Sequence, residues 1–109
     1  MARYDNVKDE TARALLAQAQ QEMRSQNPAA AVRTSGDAFI RLIELKPDLL
    51  KRNLPADDLI HHRQFPRFGA VLVEKDGKPE VVLERERFSM SEAITYWEYT
   101  LDTALHEGL

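Results

Sequence analysis

Apolar positions near the start of the chain recur at steps of three and four residues: Tyr4, Val7, Ala12, Leu15, Leu16, Ala19 and Met23. This spacing lines one stripe of a helix over about Val7–Ser25, with a Gln-rich, charged opposite face. Asn27-Pro28 breaks the pattern. Asn27 is a good N-cap and Pro28 loses nothing at a first helical position, so a second helix is predicted from there to about Leu45. Val32, Phe39, Leu42 and Ile43 form its buried face, and Lys46-Pro47 forces the stop. Gly36 falls mid-helix, where glycine costs up to about 1 kcal/mol relative to alanine; it marks a close approach by another element or a slight kink. The short connection makes the two helices an antiparallel αα-hairpin.

Residues 48–68 read as two short helical turns bounded by Asp48, Leu54-Pro55 and Phe65-Pro66, with Leu49, Leu50, Leu54, Leu59 and Ile60 inward. Two β-rich runs follow, Gly69–Glu74 and Glu80–Arg85, on either side of Lys75–Pro79. The Asp76-Gly77 pair between them is a strong hairpin signal. Ser89-Met90-Ser91-Glu92 fits a capping box. Met90, Ile94, Trp97, Leu101 and Leu105 then form the stripe of a last helix that Gly108 ends. The predicted class is α+β in a single domain over residues 1–109: a helical hairpin (1–47), two short helices (48–68), one antiparallel β-hairpin (69–87) and a C-terminal amphipathic helix (89–107).

Composition agrees with one globular core. The 109 residues are 43% apolar and 30% charged, and they include no cysteine, which removes disulfides, thiol nucleophiles, zinc ribbons and iron-sulfur ligation. No apolar run approaches the roughly 20 residues a membrane helix needs. Charges are scattered through the first residues, where a signal peptide has an apolar stretch of about 7–15. The expectation is a soluble, cytoplasmic chain with no membrane partner. Its net charge is −3, and the excess acid is concentrated. Residues 69–109 carry four Lys/Arg against nine Asp/Glu, whereas residues 1–47 carry seven against six and residues 48–68 four against three. An acidic hairpin and closing helix make a poor nucleic-acid face.

Two local resemblances add no function. Ala12–Pro47, with Ala29–Ala31 opening the second helix and Glu44–Asp48 closing it, resembles one tetratricopeptide unit or a HEPN-type helical pair. No second copy of the period of about 34 residues follows, as a tetratricopeptide array requires. His106 also lacks the Arg a few residues before it that marks HEPN ribonucleases. The stretch from Val71 to Ile94 is locally similar to the strand-turn-strand of the Phd/YefM antitoxins, which share a Gly-Lys-Pro turn, but it lacks that family's opening strand. Asp-Gly-Lys-Pro is a generic turn between apolar strands.

Candidate chemistry is sparse. Asp57 with His61, and Asp58 with His62, stand i, i+4 on the expected short helix, so Asp58 and His62 are candidate metal ligands; a site needs three or four convergent donors. The same charges also complement a helix dipole. Serines 25, 35, 89 and 91 are explained as turn, surface and capping residues, and no glycine-rich phosphate loop or catalytic triad is present. The chain is therefore expected to be no enzyme and to hold no cofactor. A metal-dependent enzyme assembled from distant residues is the third reading.

Lys51, Arg52, Arg63 and Arg67, with Phe65 and Phe68, form a basic cluster interleaved with aromatics. In a winged helix-turn-helix reading, Asp48–Asn53 is the first helix of the motif, Pro55–Gln64 the recognition helix and residues 69–87 the wing. Asp57 and Asp58 at the recognition helix's leading end repel phosphate, which disfavours nucleic acid as partner. The remaining feature is apolar surplus. Both faces of the strands carry Val or Leu, and Tyr96 and Tyr99 flank Trp97. This predicts an interface of Val71, Val73, Val82, Tyr96, Trp97 and Tyr99, and a small non-catalytic interaction or regulatory protein that pairs with itself as a homodimer or with another protein.

Overall fold

A computed structural model of the chain describes residues 3–53, 62–64 and 69–109, with backbone alone for 51–53 and 62–64. A short 3₁₀ turn, Arg3–Asn6, precedes helix α1, Glu10–Arg24. The helix starts at Glu10 rather than Val7 because the Asp9 side chain accepts the Ala12 N–H at 2.9 Å and caps it. Gln26, in the left-handed region at φ 61°, turns the chain into helix α2, Pro28–Leu45, where Asn27 accepts the Ala30 N–H at 3.3 Å. Helix α3, Asp48–Asn53, begins directly after Pro47.

The chain is α+β, as its periodicities predict. The sheet is larger than the predicted hairpin. Strand β1, His62–Gln64, pairs antiparallel with β2, Ala70–Lys75, which pairs antiparallel with β3, Lys78–Leu83, in the order β1-β2-β3. The second of the two short helices expected over 48–68 lies mostly outside the described residues. The three of its residues that are described, His62–Gln64, are strand. The β2–β3 turn is tighter than expected: Lys75 pairs with Lys78, leaving Asp76 (φ 53°) and Gly77 (φ 78°) as a two-residue loop with both φ positive. This is the turn geometry that Asp-Gly favours, because its twist matches that of the strands.

Helix α4, Met90–His106, closes the fold behind the predicted capping box, in which the Ser89 side chain accepts the Glu92 N–H and Glu92 accepts the Ser89 N–H. Its buried face is rotated from the predicted stripe. Ala93, Tyr96, Thr100, Leu101 and Ala104 are buried, Met90, Trp97 and Leu105 are half-buried, and Ile94 is 42% exposed. Size explains the difference. Helix α4 packs on α2, whose Thr34, Ser35 and Ala38 are also small and buried, and the Thr100 hydroxyl donates to the Ser35 carbonyl at 3.3 Å. Close helix approach favours small side chains at the contact, which a count of large apolar residues does not register. Val7, Ala12, Leu16, Val32, Phe39, Leu42, Leu49, Leu72 and Leu101 complete one connected core.

Ala70 and Leu72 of β2 belong to this core, and β3 packs on α2. Val81 lies against Gly36, where a Cβ would stand 2.9 Å from Val81 Cγ1. The mid-helix glycine is thus a close approach, the first of the two readings its position allowed.

Candidate functional site

The hydrogen-bonding direction of β3 follows from one bond at its end. The Glu84 N–H donates to the Gly69 carbonyl at 2.7 Å, extending the Ala70–Leu83 register by one pair. Main-chain groups of alternate residues in an antiparallel strand face the same side. Lys78, Glu80 and Val82 therefore turn theirs toward β2, and Pro79, Val81 and Leu83 turn theirs outward. Among the described residues no hydrogen bond reaches the outward N–H groups of Val81 and Leu83, or the carbonyls of Pro79, Val81 and Leu83. Pro79 sits where its missing N–H costs the ladder nothing, the usual place for proline in an edge strand.

Side chains divide by face. Pro79, Val81 and Leu83 are half-buried on the helix side, while Lys78, Glu80 and Val82 are exposed on the other. Val82 is 39% exposed and stands directly opposite Val71, with Val73 two residues along. Val71 is buried yet outside the connected core, and Val73 is half-buried. The outer face of the hairpin thus brings together three of the predicted interface residues. Beside the open edge, a cleft of about 540 Å3 is lined by Ala29, Ala30 and Arg33 of α2 and by Leu83, Glu84, Arg85 and Glu86.

Arg85 ties the base of this hairpin to α4. Its guanidinium pairs with Glu92 and lies 4.8 Å from the centre of the Phe88 ring. It also packs on Gly69, whose φ of +100° is one that residues with a side chain rarely adopt. The Ser89 N–H, with Arg85 adding to it, holds the Glu92 carboxyl below its usual range.

The three aromatic residues of the predicted interface are engaged within the chain. Tyr96 is 1% exposed and its hydroxyl accepts the Ala70 N–H at 3.2 Å; burial pushes its phenol above the ordinary range. Trp97 donates its indole N–H to the Leu16 carbonyl at 2.8 Å. Tyr99 stacks on Phe39 with ring centres 5.6 Å apart. Of the six residues of the predicted interface only Val82 is exposed; Val71 is buried and Val73 half-buried.

The other candidates are not gathered. Asp58 and Arg67 lie outside the described residues, as do Asp57 and His61. His62 and Arg63 are in β1, so an i, i+4 helical spacing does not run through His62. A recognition helix over Pro55–Gln64 is likewise excluded at its end, because its last three residues are strand. Lys51 and Arg52 are in α3. Among the described residues no group of three or more His, Asp or Glu side chains is placed to hold a metal ion, and no helix is long and apolar enough to cross a membrane.

Sequence reasoning missed two polar links. Arg41 donates to both oxygens of Asp9 at 3.0 Å, and this bonding holds the Asp9 carboxyl below its usual range. An Asp just before an apolar-periodic run was the available signal for the cap; the Arg41 contact has no local signature. No protein-family model matches the chain, nor does any curated protein or solved structure.

Proposed function

We propose that this chain is a small, non-catalytic interaction or regulatory protein that associates with itself, and that its contact surface is the outer face and open edge of the β-hairpin. The observation that carries the reading is Val82, 39% exposed on a strand whose outer main-chain groups have no partner among the described residues. An exposed edge with apolar side chains is a template for another strand. The inward engagement of Tyr96, Trp97 and Tyr99 limits the surface to the hairpin.

Sedimentation velocity from low micromolar to millimolar concentration tests this reading. The expected result is a concentration-dependent shift from monomer to a larger species, weakened by Val82→Glu. A monomer throughout overturns it.

A further inference from the structure

The charges along β3 are arranged for a particular partner. Its outer face runs Lys78, Glu80, Val82 and then Glu84 just past its end. Lys78 and Glu84 make no ion pair with the described residues. Within the hairpin Lys78 stands directly opposite Lys75, and like charges at opposed positions are unfavourable. A strand added at the open edge would give Lys78 a second neighbour.

Building on the self-association proposed above, we infer that two copies of this chain join edge to edge through β3, antiparallel about a two-fold axis with Val81 opposite the partner's Val81. Residues that face outward must pair with residues that face outward, so only alternate registers are available. In the register centred on Val81, each Lys78 lies opposite the partner's Glu84, and each Glu80 opposite the partner's Val82. The Val81 N–H groups donate to each other's carbonyls, and each Leu83 N–H donates to the partner's Pro79 carbonyl.

Neighbouring registers are worse for stated reasons. Centring on Glu80 opposes the two Glu80 carboxylates. Centring on Val82 sets each Glu80 against the partner's Glu84. Centring on Pro79 puts two residues without an N–H at the middle of the ladder. Edge charges and an edge proline commonly prevent indiscriminate pairing; here they admit one register and reject those around it.

The cleft supports the same arrangement. Pro79 of the incoming strand stands opposite Leu83 on the helix side of the sheet, where Ala29, Ala30 and Arg33 leave about 540 Å3 open. The partner's proline ring enters that space. A continuous sheet across both copies, with α2 of each beneath its own β3, closes the assembly as a dimer.

Charge reversal tests the register. Lys78→Glu and Glu84→Lys each create two like-charged pairs in the dimer and should each raise its Kd about tenfold, since opposed charges across strands change sign at both sites. Mixed together, with one of them isotope-labelled, the two variants restore opposite charges at every site, so native mass spectrometry should show the mixed dimer in excess over either self-dimer. Amide exchange of the unmodified protein gives an independent reading: the Val81 and Leu83 N–H groups should become protected as concentration rises. A dimer indifferent to both reversals, or one in which these two amides stay unprotected, overturns the register while leaving self-association standing. A monomer at every concentration overturns both.

Discussion

Val81 and Gly36 are fitted to each other: the valine methyl occupies the place where a side chain on residue 36 would begin, 2.9 Å from an ideal Cβ. The contact sets how closely the sheet lies on α2, and so where the open edge of β3 stands relative to the cleft at Ala29 and Ala30.

Gly36→Ala sets two effects against each other. Alanine favours a helix interior by up to about 1 kcal/mol over glycine, while forcing a methyl into a packed contact costs typically about 1–3 kcal/mol. The second should win, because α2 and the strand behind Val81 are both held by the core. The expected outcome is a net loss of stability of about 1 kcal/mol in urea unfolding. Val81→Ala placed on the same background should recover the overpacking part of that loss, and a stabilised single variant would show that the sheet moves freely on α2.

The Asp9 carboxyl ionises more readily in the folded chain, because Arg41 donates to both of its oxygens and the Ala12 N–H donates to one. A group whose folded pKa is lowered adds stability that is fully present above its unfolded value, about 3.9, and is lost as pH falls through the lower folded value. Asp9→Asn keeps an acceptor for the cap but removes the charge. The stability difference between the parent and Asp9→Asn should therefore be largest near neutral pH and shrink on acidification. Asp9→Ala loses the cap as well, which alone costs about 1 kcal/mol. Thermal unfolding as a function of pH measures both.

Tyr96 is the opposite case. Its hydroxyl accepts from the buried Ala70 N–H at the end of β2, and burial raises its folded pKa. That contribution is present below the unfolded value of about 10 and is lost as pH rises through the higher folded value. Tyr96→Phe leaves the Ala70 N–H without this acceptor, at a cost of about 1–3 kcal/mol for a buried donor. The variant should be less stable at neutral pH and should lose less than the parent on going to strong alkali. Fluorescence of Trp97, the only tryptophan, follows unfolding in both chains.

How much was legible in the sequence depended on whether a signal was local. Asn27-Pro28, Lys46-Pro47, Asp76-Gly77 and the Ser89–Glu92 box each act through a few neighbouring backbone groups, and each is found doing so. The face of α4 was read less well. Its large apolar residues point to Ile94, whereas the buried face includes the small residues Ala93, Thr100 and Ala104, and Thr100 bonds Ser35 on α2; small side chains suit close helix contacts. Strand β1 also escaped notice, since three residues carry too short an alternation to stand out.

By itself the sequence determined which segments of this chain become helix or hairpin, through periodicity, caps and turn residues whose physics is confined to a few residues. It also placed the valines and charges along each strand. Tertiary structure alone decided that Tyr96, Trp97 and Tyr99 turn inward and that, among the described residues, no strand pairs with the Pro79–Val81–Leu83 side of β3, because both follow from which elements pack together. Packing links residues far apart in the chain, and no local pattern records it.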